Sequence, residues 1–424
     1  MLKYSYVYTK KASFMEPENK QSKAYLIGGG IASLSCAAFL IRDGKMSGDN
    51  ITIYEESDAL GGSLDAKNDS AEDGYIMRGY RMFEEKVYTS TFDLLSCFPS
   101  ASDPDKTARQ AFIDFNKDIK TYAKARMLEG GKVIDSTHLG MTFKERMQLL
   151  RLLIQKESKL GNKQIDEYFG SRFFTTTFWI EFCTTFAFQP WHSLKEFRRY
   201  ILRFLQDFRF INTLECVEST PYNQYDSIVA PLVKWLKEQG VYFQLNSKVT
   251  NVTFKQIDTE KTAKSFTFLD GNEERRVSVF EHDFVFITLG SMASNAKIGS
   301  MDSAPVSRDE GGGTAWDLWE RIARDRDDFG NPSAFKDHID QSKWESFTIT
   351  FRELAYGDQF KRIIGNDDHT DGGVTIKDSS WFLSFVIPHQ PHFKDQPEGT
   401  TVCWGYGLSP ENKGDFVKKK MSMC

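Results

Sequence analysis

Hydrophobic and polar residues change rhythm at Ala24. Residues 1–22 are polar and aperiodic and read as a mobile arm. Ala24-Tyr25-Leu26-Ile27 is a short apolar run, and Gly28-Gly29-Gly30 interrupts it. From Ile31 to Arg42 the period becomes helical, with Leu34, Ala37, Ala38 and Ile41 on one face. Asp43-Gly44 closes that helix, and Ile51-Thr52-Ile53-Tyr54 is a second strand with Glu55 at its carboxyl end. Strand, turn, helix and strand within roughly 30 residues make a βαβ unit.

Further along, Thr142 and Glu145 form a capping box that opens a helix to about Lys159, with Leu149, Leu150, Leu153 and Ile154 as its apolar side. Leu194 to Phe208 is helical, with apolar residues at 194, 197, 201, 204 and 208. Ser227 to Gly240 is another amphipathic helix, and Val241 to Leu245 a strand. The near-continuous apolar run Phe284–Leu289 is expected as a parallel strand covered on both faces, ending at Gly290-Ser291. Residues 300–340 are polar and irregular around Gly311-Gly312-Gly313, and 346–407 alternate as sheet does. Ser409-Pro410-Glu411-Asn412 carries helix-start signals, and Phe416 to Met421 would continue that helix to the chain end. A helix that begins and stops there suggests a truncated chain, against a short lysine-rich tail.

Composition narrows the class. Of 424 residues, 27% are charged and 40% hydrophobic, the balance of a soluble globular chain. A net charge of −5 provides no global field to hold nucleic acid. Cys36, Cys97, Cys183, Cys216, Cys403 and Cys424 are scattered without metal or disulfide spacing, which fits free thiols and a cytoplasmic setting. No H-E-x-x-H occurs, so no metal site is expected. Phenylalanine is in surplus, 35 against 16 Tyr and 8 Trp, and ten fall within residues 173–210. Either the core is large or that stretch lines an apolar cavity; the cavity is the favoured expectation there.

Gly28-x-Gly30-x-x-Ser33 follows a strand and opens a helix. In a dinucleotide turn the first glycine permits the bend and the second admits a pyrophosphate to the backbone. The third position is small for close packing, and Ser33 is a tolerable departure. The helix start at Ile31, Ala32 and Ser33 supplies N–H groups and a partial positive charge for phosphates. Glu55, with Glu56 beside it, stands where a carboxylate takes ribose hydroxyls. Gly61-Gly62-Ser63 follow. An acid and then a double glycine is a flavoprotein pattern and points to FAD over a nicotinamide cofactor. A glycine turn without ligand is the structural alternative.

Three rarer words are Arg78-Gly79-Tyr80-Arg81-Met82-Phe83-Glu84, Trp191-His192-Ser193 through Arg198-Arg199-Tyr200, and Tyr222-Asn223-Gln224-Tyr225-Asp226-Ser227. With Gly290-Ser291-Met292, Phe329-Gly330-Asn331-Pro332 and Gln390-Pro391-His392-Phe393, they resemble the oleate hydratase family, once called myosin-cross-reactive antigens, from about Lys23 onward. The resemblance implies an enzyme that adds water across a cis double bond of an unsaturated fatty acid, a hydro-lyase holding FAD without net redox change. The implied fold class is α/β. A Rossmann-like, glutathione-reductase-like FAD-binding domain (23–140 and 225–345) is interrupted by a helical substrate cap (141–224). A substrate-binding sheet region (346–408) and the start of a truncated helical portion (409–424) follow. Family members usually run well past this chain's last residue.

The same resemblance implies that Tyr200 protonates the alkene, a weak base that needs a positioned acid. It puts Gln224 at the reacting centre, His392 on the fatty acid carboxylate, and Arg81 and Ser291 at the cofactor. Two departures stand out. Met82 occupies the place of the family's proposed basic glutamate, so Glu84 or the loop backbone is expected to orient the water. Val386 and Pro388 replace a threonine and an asparagine near the carboxylate, which shifts anchoring toward Arg78 or Arg81. Other readings stay open: a redox flavoenzyme, or a non-catalytic lipid-binding flavoprotein, as monomer or homodimer. Lys418-Lys419-Lys420 is read as a solvated helix face, with a peripheral membrane contact as the alternative.

Overall fold

The computed structural model describes residues 22–64, 66–67, 72–257, 260–288, 290, 296–300, 302–305, 315–337, 341, 343–365 and 372–424. The N-terminal arm, Ser291 and Gly311-Gly312-Gly313 lie outside these residues.

The strands Ala24–Ile27 and Ile51–Tyr54 are buried along nearly their whole length, as central strands of a parallel sheet are. They pair in parallel, Ala24 with Ile51 through Ile27 with Tyr54. Phe284–Ile287 joins the free side of the first strand and Tyr242–Gln244 that of the second, both parallel. This is a mixed α/β fold with a Rossmann-like parallel sheet. Phe284–Ile287 ends the sheet, so its residues are half-buried or exposed and not covered on both faces as expected. The helix Ile31–Arg42 buries Ser33, Leu34, Ala37 and Ala38. A three-stranded antiparallel sheet from residues 247–278 brings Phe266 and Phe268 against Tyr25 and Tyr54, with ring centroids 5.0–5.4 Å apart.

The chain divides into two compact units, Met1–Gly62 with Leu232–Leu289, and Ser63–Pro231 with Gly290–Cys424. Residues 63–140 thus cluster with the second unit, whereas the expected domain boundaries fell at 140 and 225. The reason is long-range pairing: Met127–Glu129 lies parallel to Val374–Ile376 in a six-stranded sheet. Thr401–Gly407, near the middle of that sheet, is buried at every position.

The helices of the second unit surround an aromatic core. The capping box at Thr142 and Glu145 is formed, and Thr176 and Ser193 cap the helices Thr177–Phe186 and Leu194–Arg203. Phe169 stacks on Phe173 at 4.0 Å, and Phe182 meets Phe197 edge-on at 4.9 Å. Phe173, Phe182 and Phe197 are fully buried. These rings fill one another's space, so the first half of the phenylalanine-rich stretch is packed core and not an acyl cavity. Phe186, Tyr200 and Phe208 form its half-buried margin.

Four helix expectations are corrected. The helix from Thr142 ends at Ile154, not near Lys159, because the Arg198 guanidinium takes the Leu152 and Leu153 carbonyls at 3.0 Å. Its inward side is Leu149, Leu152 and Leu153, while Leu150 and Ile154 point out. The helix from Leu194 stops at Arg203, and the one expected at Ser227 starts as a π-turn at Tyr225–Val229 before Ala230–Glu238. Finally, 409–424 is not α-helical. Asp415 accepts from the Ser380 N–H at 2.9 Å, Trp381 Nε1 donates to the Asn412 carbonyl at 2.8 Å, and only one 3-10 turn, Met421–Met423, forms. Those tertiary bonds override the local Ser-Pro-Glu signal.

Truncating a packed core ring leaves a cavity. Phe182→Ala should therefore cost about 3–5 kcal/mol in denaturant unfolding. A cost near zero would return this stretch to an open pocket.

Candidate functional site

The first turn is built from glycines facing each other. Gly28 has φ 100°, and its N–H donates to the Tyr54 carbonyl at 2.8 Å. A Cβ there would lie 2.7 and 2.8 Å from the Thr288 hydroxyl and carbonyl oxygens. The Gly61 N–H donates to the Gly29 carbonyl at 3.0 Å, which lays the second glycine turn along the first. Gly62 has φ 56°, and a Cβ on it would stand 3.2 Å from the Gly30 Cα. Gly30 differs: its backbone is extended, and a Cβ would meet only the Gly62 Cα, at 3.9 Å. The protein itself leaves room there.

Ser33, fully buried, explains its own departure from glycine. Its hydroxyl sits 2.9 Å from the Thr288 hydroxyl, which in turn donates to the Ile27 carbonyl at 2.9 Å, tying helix to sheet. The helix begins at Ile31 and Ala32 with neither a side-chain cap nor an acidic residue in its first turn. Its N–H groups are therefore presented to an anion. Glu55 accepts from the Gly29 N–H at 2.6 Å with one oxygen and from the Ser57 N–H and hydroxyl at 2.9 and 2.8 Å with the other. A carboxylate has about four lone-pair sites, so acceptor capacity remains for ribose hydroxyls. Glu56 is turned to Lys248, 3.1 Å away.

In the second unit, Ser63 lies in a 3-10 turn, and the loop 78–85 is tied to residue 218 by its backbone. Phe83 and Glu218 exchange both backbone hydrogen bonds, each 2.8 Å. Neighbours of Phe83 then diverge. Glu85 pairs with Arg109. Glu84 turns to Gln206, whose amide nitrogen lies 3.5 Å from Glu84 Oε2 and 2.9 Å from Asp207 Oδ2. Burial, then a hydrogen bond shared with Asp207 and the like charge of that carboxylate, push the Glu84 carboxyl up to about 7. Asp207 and Gln206 were not candidates from the sequence. The only signal was a polar pair breaking an otherwise aromatic helical pattern.

Tyr200 stands on the half-buried face of the helix Leu194–Arg203. Phe186 and Phe188 present their rings edge-on at 5.4 and 5.1 Å. Among the described residues its hydroxyl has no hydrogen-bond partner, and burial raises its pKa, which keeps the phenol protonated. Tyr88 feels the charges of both Tyr200 and Glu84 and lies under the Arg203 guanidinium, 5.4 Å from the ring centroid. Glu84, Tyr88, Tyr200, Arg203 and Asp207 thus form one group.

Arg78, Arg81 and Gln224 come together elsewhere in this unit, lining with Asn223 a small recess. Gln224 is buried and donates to the Thr220 hydroxyl at 3.2 Å and, more weakly, to the Arg81 carbonyl at 3.4 Å. Met82 is half-buried in the same loop. His392 adjoins through Asn223, whose N–H donates to the His392 carbonyl at 2.8 Å, and through Tyr80, whose ring is 5.9 Å away. Its imidazole is buried, and desolvation lowers its pKa to about 3, so the ring is neutral. Its Nε2 has no partner among the described residues, the signature of a donor or acceptor waiting for a ligand.

These words now have a shared geometry, and the family comparison agrees with them over nearly the whole chain: the MCRA family matches residues 21–424. The chain belongs to the MCRA family. It is 34% identical over 425 aligned positions to the oleate hydratase of Streptococcus pyogenes serotype M49 (strain NZ131), covering 98% of this chain and 72% of that protein. It is also 34% identical to the linoleate hydratase of Lactiplantibacillus plantarum, covering 94% of this chain and 75% of that one. Within this MCRA chain, Tyr200 and Glu84 fall in one group, and Arg78, Arg81, Gln224 and His392 in another. Ser291 lies outside the described residues.

The glycine geometry separates fold from ligand. Gly28→Ala should destabilise by about 1–3 kcal/mol through strain and the Thr288 clash. Gly30→Ala should stay within about 0.5 kcal/mol, as unstrained surface substitutions do. Urea unfolding of the two variants checks the contrast.

Proposed function

We propose that this chain is a fatty acid hydratase, a hydro-lyase that adds water across a cis double bond of an oleate-like acid and holds FAD without net redox change. The observation that carries the reading is the divergence at Phe83. It sends Glu85 to a salt bridge and Glu84 toward Gln206 and Asp207, into a group that reaches Tyr200 through Tyr88, so a base is available despite Met82. The 34% identity to an oleate and a linoleate hydratase supports the substrate class.

For FAD, the chain's own residues fit. Gly30 leaves a place that a Cβ would fill, the uncapped helix start at Ile31–Ser33 faces it, and Gly61 and Gly62 flank it. Those groups would hold the diphosphate, and Glu55 the ribose. Bound there, FAD would supply a flat, polar ring system that takes no part in net electron transfer.

The residues' chemistry balances without an oxidant. The Tyr200 hydroxyl gives its proton to one alkene carbon, water oxygen bonds the other, and Glu84 takes the proton that water releases. That proton returns to Tyr200 through solvent. The raised Tyr200 pKa keeps the donor loaded at neutral pH, and a carboxyl poised near 7 is a far better base than an ordinary one. Gln224 would orient the bound acid from the recess it shares with Arg78 and Arg81. Neutral His392 binds the fatty acid carboxylate by hydrogen bonding, with Arg78 and Arg81 supplying positive charge that His392 cannot.

Two measurements test this. The hydration rate should rise with pH through about 7, as Glu84 must lose its proton to act. Glu84→Gln should remove that limb and lower turnover by about 10²–10⁴-fold. Asp207→Asn should move the limb to lower pH, since a like charge is gone. Products are read by the mass gain of one water, and a limb that survives in Glu84→Gln removes Glu84 from the chemistry. For the cofactor, Gly30→Ala should purify with little flavin absorbance while unfolding as the parent does. Full flavin content in that variant would overturn the assignment.

A further inference from the structure

The helix Phe143–Ile154 is used on both sides. Inward, Leu152, Leu149 and Leu153 pack on the aromatic core. Its single acid, Glu145, also turns inward, bound by Thr142 at 2.7 Å and Arg172 at 2.6 Å. Outward, Phe143, Met147, Leu150 and Ile154 are 80, 46, 54 and 84% exposed. Spacings of four, three and four residues put all four within about 60° of arc on one ridge. Lys144 and Arg151 flank the ridge on one side and Arg146 on the other, all exposed. Single exposed apolar residues need no explanation, but a continuous ridge of four does.

We propose that this ridge is a membrane-docking surface whose partner is an anionic lipid bilayer. An apolar line with cations along both edges and no exposed acid is the pattern of a helix lying in the headgroup plane. There the apolar side chains reach roughly 5–10 Å inward and the long basic side chains extend to lipid phosphates. Charge complementarity selects this occupant over a second copy of the chain. An isologous contact through the ridge would set Lys144, Arg146 and Arg151 beside the same cations of the other protomer. The inference is independent of the catalytic reading, because it concerns binding to lipid and not turnover.

The full chain should co-sediment with vesicles of phosphatidylglycerol and phosphatidylcholine, more weakly as salt rises, and poorly with phosphatidylcholine alone. The triple variant Met147→Ser, Leu150→Ser, Ile154→Ser should bind anionic vesicles at least about ten-fold more weakly with an unchanged unfolding midpoint, because none of the three is buried. Lys144→Gln with Arg146→Gln and Arg151→Gln should lose the preference for anionic lipid. The proposal fails if the parent chain ignores anionic vesicles, or if the serine variant binds them as the parent does. It also fails if sedimentation velocity without lipid shows the serine changes splitting a dimer, which would assign the ridge to a second copy.

Discussion

Phe83 and Glu218 exchange two backbone hydrogen bonds, and the placement of Glu84 and Glu85 on either side of the loop depends on that pair. Phe83 is buried, and the chain turns directly after it, the Val87 and Tyr88 N–H groups donating to the Glu84 carbonyl at 3.0 and 2.9 Å, so Glu84 and Glu85 diverge. The partner segment is itself braced: Asn116, buried, donates to the Ser219 carbonyl at 2.8 Å and accepts from the Ser219 N–H at 3.1 Å. A buried amide that satisfies both backbone groups of one residue leaves little freedom for a register slip. The same segment continues to Thr220, whose hydroxyl takes the Gln224 amide, so one short segment touches both groups of candidate site residues.

Placing acids on such a loop has an electrostatic consequence. Glu84 is partly desolvated and shares a single amide donor with Asp207, so its charged form is disfavoured. In an ordinary surface pair that would be a liability. Here it tunes a base toward neutrality, while the Tyr200 phenol, ordinarily protonated at neutral pH and raised further by burial, stays protonated. His392 follows the same logic in reverse, since burial makes it a neutral hydrogen-bonding group and leaves the positive charge to arginines.

The aromatic core is the mechanical counterpart. Stacked and edge-on contacts among Phe169, Phe173, Trp179, Phe182 and Phe197 fix the helix that bears Tyr200. Arg198, from that same helix, ends the helix Phe143–Ile154 by taking its last carbonyls. The outward ridge of the latter helix is thereby held rigid against the core.

Much was legible in the sequence. The βαβ unit, the capping box at Thr142, the two glycine turns and the family words depend on local spacing, and local spacing is what sequence records. The parallel strands Tyr242–Gln244 and Phe284–Ile287 were readable as short, mostly apolar runs, although both end their sheet and are half-buried or exposed. Tertiary structure alone decided the rest. Helix ends at Ile154 and Arg203 depend on partners far along the chain, and the C-terminal segment exchanged its helix signals for bonds to Ser380 and Trp381. The choice of Glu84 over Glu85 and the presence of Asp207 beside it needed the Phe83–Glu218 register. Whether Leu150 faced in or out could not be read from a helix apolar on nearly every side. Periodicity tells which residues share a face, but only packing tells which face finds the core.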